Sequence, residues 1–250
     1  MNEIGIRPIC GLPELREGDD LAEHLAVALR QVEDSLQDGD VVVVTQKAVS
    51  KVEGRVVKLD TVLPGTFARR IAAEHDKDPR ALQLVLDETV RIVRMVRGIL
   101  ICQTRHGFIC ANAGVDRSNV ASDSACLLPL DPDASAAKLR NAFVETFGVQ
   151  VAVIISDTFG RPWRNGQTNV AIGIAGMEAL DSYVGQHDKF ANELHVTQIA
   201  VADELAAAAE LVMRKLDGVP AAVVRGFTYK ASEEGRARAL VRPPERDLFL

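Results

Sequence analysis

Apolar residues along this chain recur at two periods, and the switches between them mark out the elements. Over residues 21–36, Leu21, Leu25, Leu29, Val32 and Leu36 fall on one helical stripe, with Asp19 or Asp20 placed to cap its start. Asp38-Gly39-Asp40 is a turn signal that stops this helix. Val41–Val44 then runs apolar and β-branched without a break, the pattern of a strand buried on both faces. Arg55–Leu59 reads as a second short strand, and 64–86 as a helix in two pieces broken near Asp78-Pro79. Val90–Val96, Gly98–Gln103 and Gly107–Ala111 follow as strands, the last pair turning at His106-Gly107. Leu128–Asp133 has the Pro and Asp content of a loop, Ala134–Phe147 the spacing of a helix, and Val149–Ile155 that of a buried strand. A Gly-rich segment, Gly160–Gly176, comes next. An Ala-rich helix over Val201–Leu216 leads into a strand at Ala221–Arg225, and Arg242–Leu250 is a charged, extended tail. The alternation predicts an α+β or mixed α/β fold, with no fixed repeat and no obvious linker.

Composition narrows the partners. Only 4% of the 250 residues are aromatic, so the core must rest on Val, Leu, Ile and Ala. Lys and Arg number 29 against 35 acidic residues, a net charge of −6, the opposite of the bias a nucleic-acid or anionic-membrane binder carries. The cysteines Cys10, Cys102, Cys110 and Cys126 form no C-x-x-C pair and read as reduced core thiols. The opening residues lack a basic stretch followed by an apolar one, and no apolar run approaches the roughly 20 residues of a membrane span. The expectation is a cytoplasmic protein with neither nucleic acid nor membrane as partner.

Three segments carry candidate chemistry. Asn112–Asn119 follows a strand and holds Asp116, Ser118 and Asn119, oxygen donors suited to a hard cation such as Mg²⁺, although Asn and Asp also serve turns by bonding their own backbone. Ser156–Gly166 places Asp157 just past a buried strand, with Arg161, Arg164 and the single Trp close behind. Guanidinium groups there can read phosphate or carboxylate through paired hydrogen bonds, or can form a structural ion pair. Gln46-Lys47 with Ser50-Lys51, after the Val41–Val44 strand, fits either a phosphate contact or a charged surface helix start.

Other site classes are missing from the chain. Neither G-x-x-x-x-G-K-[ST] nor G-x-G-x-x-G occurs, so there is no P-loop or Rossmann fingerprint. The histidines His24, His75, His106, His187 and His195 are scattered without H-x-x-x-H spacing, and no G-x-S-x-G elbow is present. What remains is an acid-bearing metal centre beside a basic, phosphate-reading wall, a pairing that suits phosphoryl transfer.

Gly98–Cys102, Thr104–Phe108, Asn112–Asn119, Ser156–Arg164 and Ala171–Gly173, with Gly11–Leu15 and Gln46–Lys51, together resemble the coenzyme F420-0:γ-glutamyl ligase family, over about residues 5–246. The resemblance implies a mixed-sheet, two-lobed α+β ligase fold that works as a homodimer with its active site near the subunit interface. It implies GTP-dependent addition of L-glutamate to the deazaflavin precursor F420-0, by way of an acyl phosphate, with Mg²⁺ or Mn²⁺ (two per site) and K⁺. Carried over by motif, Asp116 and Asp157 match ligands of a first metal and Thr158 of a second. Leu12, Pro13, Glu14, Leu15, Gln46, Lys47, Lys51 and Asn119 match nucleotide contacts, as does the segment Met213, Arg214, Lys215, Leu216, Asp217, Gly218, Val219 and Pro220. A protonated lysine cannot ligate a cation, so with Lys215 here either the second metal site is not formed or its ligand comes from another residue such as Glu210. Because the sequence stops at Leu250, the expectation is a single ligase module, 1–250, without the C-terminal flavin-binding reductase domain of some bacterial relatives. Two other classes of function fit the same residues: a metal-dependent nucleotide phosphohydrolase, and a non-catalytic deazaflavin- or nucleotide-binding protein.

Overall fold

A computed structural model describes residues 3–32 and 35–247. In chain order its elements are β1 (Gly5–Ile9), α1 (Leu21–Gln31), β2 (Val41–Thr45), α2 (Gln46–Val52), β3 (Val56–Lys58), α3 (Thr66–His75), α4 (Pro79–Asp87), β4 (Thr89–Val96), β5 (Ile99–Thr104), β6 (Ile109–Ala111) and β7 (Ser124–Cys126). There follow α5 (Pro132–Phe147), β8 (Ala152–Arg161), β9 (Arg164–Met177), β10 (Asp181–Ser182), β11 (Gln198–Ile199), α6 (Val201–Met213), β12 (Ala221–Arg225) and β13 (Ala231–Ser232).

The main sheet has six strands in the order β1-β12-β2-β8-β9-β13. Only β2 and β8 run parallel; every other pair in it is antiparallel, so the sheet is mixed. Val41, Val42, Val43 and Val44 are all 0% exposed, which is why their run lacks alternation. Val42 and Val44 meet Leu25 and Leu29 of α1 and Leu139 and Phe143 of α5; Val41 and Val43 meet Leu205, Ala206 and Ala209 of α6. The α+β expectation holds: helices cover both faces of a mixed sheet. A separate three-stranded sheet, β4-β5-β6, packs Leu100 and Cys102 on Ile71, Ala72, Leu82 and Val85 of α3 and α4.

Local signals fixed most helix starts. Asp20, rather than Asp19, caps α1, accepting from Glu23 N at 3.0 Å, while Asp19 accepts from Arg16 N. Asp78 caps α4 and Pro79 fills its first turn, the break expected between two helical pieces. Pro132 plays the same part in α5, so that helix begins inside the stretch read as loop, with Asp131 as its cap. The stripe of 21–36 is cut short: α1 ends at Gln31, and residues 33 and 34 lie outside the described residues. Residues 248–250 of the tail do so too. Among the thiols, Cys102, Cys110 and Cys126 are buried, but Cys10 is exposed.

The Gly-rich segment Gly160–Gly176 completes a long hairpin: β8 runs on to Arg161, β9 begins at Arg164, and the two pair from Val153↔Ala175 out to Arg161↔Arg164. Its glycines mark close approaches and a bend rather than a break: a Cβ on Gly173 would run into the backbone of Pro132. The strand read as Val149–Ile155 also starts later and continues to Arg161. The Ala-rich helix ends at Met213, three residues before the expected end, where Arg214 turns to φ 52°.

Candidate functional site

A cavity of about 660 Å³ opens at the edge shared by β2, β8, β9 and α6. Each wall follows from a local break in regular structure. β2 ends at Thr45, whose hydroxyl caps α2, so Gln46, Lys47 and Lys51 come straight off a buried strand. The reading of this segment as a charged surface helix start fails. Gln46 is 1% exposed and donates nothing through its Nε2, while Ser50 Oγ donates to its Oε1 at 2.9 Å. The loop Leu12–Leu15 lines the opposite wall, and Lys51 Nζ reaches Glu14 Oε1 at 2.6 Å. Past α6, the turn at Arg214 swings Arg214, Lys215, Leu216, Gly218, Val219 and Pro220 along the rim, and Pro220 O accepts from Thr45 N at 2.8 Å.

The acidic floor comes from two distant segments. Asn112 and Ala113 both adopt φ 51°, and Gly114 at φ 75° lies where a Cβ would stand 2.7 Å from Leu128. This tight turn brings Asp116 to pair with Cys126 through two backbone hydrogen bonds, 3.0 and 2.8 Å. The Asp116 carboxylate then accepts from Lys47 Nζ at 2.6 Å, Ser118 N at 2.7 Å and Ser118 Oγ at 2.9 Å. Burial works to raise its pKa, but Lys47 and Ser118 outweigh burial and hold it below the ordinary carboxylate range.

Asp157 behaves oppositely. Desolvation, reinforced by the neighbouring Asp116, pushes its pKa up to about 7, against partial compensation from Thr158 N, Lys47 and Lys215. Asp157 on the cavity wall, its pKa raised, and Asp116 beside it, its pKa lowered by Lys47 and Ser118, mark a site that favours added positive charge. Ser156, also on the wall, is 1% exposed with an unpartnered Oγ.

Next to Asp157, Thr158 Oγ1 donates to Asn169 Oδ1 at 2.8 Å, and Asn169 Nδ2 donates to Glu210 Oε2 at 3.0 Å. Asn169 was not singled out by the sequence. It lies in the segment read as Gly-rich, and pairing it with Thr158 requires knowing the hairpin register. That register contains a bulge: Ile155 pairs with Gly173 but Ser156 with Ala171, leaving Ile172 as the extra residue. An uninterrupted ladder would put Val170 opposite Thr158; the bulge puts Asn169 there. The Ala171 N–H freed by the bulge is taken up by Asp203 Oδ1 of α6 at 2.8 Å.

Most of the expected residues therefore converge. Leu12, Pro13, Glu14, Leu15, Gln46, Lys47, Lys51, Asn119, Asp157, Thr158, Arg214, Lys215, Leu216, Gly218, Val219 and Pro220 line the cavity, and Asp116 joins through Lys47. Met213 does not: its side chain is 0% exposed in the α6 core, because it ends the helix's apolar stripe. Asp217 pairs with Arg214 at 3.2 Å instead of facing the cavity. Arg161 and Arg164 lie at the hairpin tip, about 13 Å along the strand from Asp157. There Arg161 donates to Asn165 O, and Trp163 at φ 56° is 81% exposed.

The donors lining the cavity at Asp157 are carboxylate, hydroxyl and amide oxygens, a hard set that fits Mg²⁺ or Mn²⁺. The Lys47 ammonium on Asp116 shows the same preference for a cation. Among the described residues no group of three or more His, Cys, Asp and Glu gathers at metal-binding distance. Any such ion would therefore draw on Thr158, on Asn or backbone oxygen, or on its substrates.

Comparison with known proteins places this site in an enzyme of the ligase type. The model of the family described as F420-0:Gamma-glutamyl ligase matches residues 10–226, and the chain belongs to that family. It is 43% identical to the Coenzyme F420:L-glutamate ligase of Methanothermobacter thermautotrophicus, over 98% of both chains. The protein of the same name from Methanopyrus kandleri is 43% identical, over 98% of this chain and 97% of its own. That from Archaeoglobus fulgidus is 42% identical, over 98% and 96%. Among the described residues no helix is long and apolar enough to cross a membrane.

Proposed function

We propose that this enzyme joins L-glutamate to the deazaflavin F420-0 and then adds further γ-linked glutamates, consuming GTP. The observation that carries the reading is one cavity holding both halves of the chemistry: the acid and hydroxyl donors Asp157 and Thr158 on its floor, and Lys47, Lys51 and Lys215 on its walls. A carboxylate is a poor electrophile until one oxygen becomes a good leaving group. In the route proposed, a carboxylate oxygen of the precursor attacks the γ-phosphorus of GTP, and the bond to GDP breaks. The glutamate amine then attacks the carbonyl carbon of the acyl phosphate, inorganic phosphate departs, and the nitrogen loses a proton as the amide forms.

The chain's own groups support each part of this route. Lys47 and Lys51 approach from α2, where they can hold anionic phosphate oxygens. Asp116 orients Lys47 through the ion pair at 2.6 Å. Leu12–Leu15, Asn119 and the 214–220 segment shape the walls for the nucleotide. Asp116, Asp157 and Thr158 would hold Mg²⁺ or Mn²⁺, up to two ions, with K⁺ assisting and Glu210 close enough to complete the second set. When bound, the divalent ion neutralises phosphate oxygens and so favours attack on phosphorus. Arg161 and Arg164 are assigned to phosphate or glutamate carboxylate at the hairpin tip, which in a homodimer would face a second copy.

The test is an incubation of purified protein with F420-0, L-glutamate, GTP and Mn²⁺, read by mass spectrometry beside controls lacking each component. Glutamate-sized mass additions that require both GTP and metal are expected. GTP breakdown without any mass gain would replace the ligase with a phosphohydrolase.

A further inference from the structure

We propose that Asn169 is a positioning residue, one that turns the lone pairs of the Thr158 hydroxyl into the cavity. The inference rests on the reading of Thr158 as a cation ligand and adds how that ligand is aimed. A hydroxyl offers one proton and two lone pairs. In Thr158 the proton points to Asn169 Oδ1 at 2.8 Å, so only acceptor capacity remains for anything bound in the cavity. With its proton free to rotate, the same hydroxyl could turn a hydrogen toward a cation and repel it.

The direction of the amide is fixed in turn. Glu210 Oε2 lies 3.0 Å from Asn169 Nδ2, and an ionised carboxylate only accepts. A flipped amide would set Oδ1 against that carboxylate and its NH₂ group against the Thr158 proton. Glu210 therefore dictates Asn169, and Asn169 dictates Thr158. Asn169 itself is buried, 3% exposed. The arrangement depends on the bulge at Ile172, which brings Asn169 rather than Val170 opposite Thr158, and on Asp203, which pins that bulge from α6.

Groups that orient a ligand from behind typically control metal affinity by 10–100-fold. The experiment is a double-mutant cycle on the full-length chain, with Mn²⁺ binding read by electron paramagnetic resonance in the absence of substrates. Thr158→Val and Asn169→Ala should each weaken Mn²⁺ binding about tenfold or more, and the double variant should be no weaker than Thr158→Val alone. Losses that multiply in the double variant would overturn the inference, because Asn169 would then act by a route other than Thr158. Unchanged Mn²⁺ affinity in Asn169→Ala, with Thr158→Val impaired, would also overturn it. Unchanged affinity in Thr158→Val would instead remove the ligand reading beneath it. Thermal melts accompany each variant. If Asn169→Ala does not fold, Asn169→Ser, which keeps a small polar group in the same space, completes the cycle.

Discussion

Lys47 Nζ and Asp116 Oδ2 stand 2.6 Å apart, joining the first turn of α2 to the tight turn after β6. Neither element touches the other in sequence, yet this ion pair sets the charge on one side of the cavity. It holds Asp116 below the ordinary carboxylate range, while desolvation, with Asp116 nearby, pushes the pKa of Asp157 up to about 7. The floor thus has one carboxylate already paired and one still short of positive charge.

Asp157→Asn should therefore abolish ligation, with activity down by more than about a hundredfold, because it removes charge from the donor that lacks a partner. The fold should survive. The native carboxylate is penalised by desolvation, and a neutral amide of the same size escapes that penalty. The check is a ligation assay beside a thermal melt. Near-normal turnover would take Asp157 out of the site.

Lys51→Ala should raise the Michaelis constant for GTP about tenfold with little change in kcat, the value of a lost charge-assisted hydrogen bond. Its current partner Glu14 is largely exposed at 77%, so that ion pair adds little to stability and is free to yield to an anion. Steady-state kinetics at varied GTP decides it, and an unchanged constant would return Lys51 to a surface role.

Asp203→Ala should destabilise the chain by about 1–3 kcal/mol, since the Ala171 N–H at the bulge would be left without an acceptor. Asp203→Asn keeps an oxygen in place and should recover most of that loss. Denaturant unfolding of the two variants side by side measures the difference. Equal midpoints would mean that the bulge holds without its clasp.

The helix cap at Asp78 gives a pH dependence. Its hydrogen bond to Arg80 is the largest influence on its pKa, which is lowered from 3.8 to about 2. Since the folded pKa lies below the unfolded one, its contribution is complete above 3.8 and is lost as pH falls toward 2. Asp78→Ala should cost about 1 kcal/mol at pH 7. The gap in unfolding midpoint between parent and variant should narrow steadily below pH 3.8. A gap independent of pH would show that the cap, rather than the charge, is what Asp78 supplies.

Much of this protein was legible in its residues, and for local reasons. The all-valine run 41–44 could only be a strand shielded on both faces, and Asp78-Pro79 marked the break before α4, whereas Asp131-Pro132, which opens α5, stood inside a stretch read as loop. The motifs around Asp116 and Asp157 pointed to the cavity through their residue types: Asp157 lies within β8, opposite Val170, and Asp116 follows the tight turn after β6. The strand in Gly160–Gly176 was not legible because glycine content alone does not separate a loop from a strand packed tightly against a helix: Gly173 is a strand residue under Pro132. Met213 misled because a position in a motif does not say which way its side chain turns at a helix end.

By itself, then, the sequence determined the elements, the mixed composition of the sheet's core and the residue types that could do chemistry, since these depend on periodicity, capping and charge within a few neighbours. Which of those residues meet was decided only in three dimensions. Lys47 reaches Asp116 because two turns from different parts of the chain face each other, and Asn169 reaches Thr158 because one extra residue shifts a ladder by a single step. Side chains in a strand alternate with a period of two, so a one-residue offset exchanges an apolar neighbour for a polar one. No pattern along the chain records that offset. At that offset Asp203 of α6 accepts the Ala171 N–H, a contact between segments far apart in the chain.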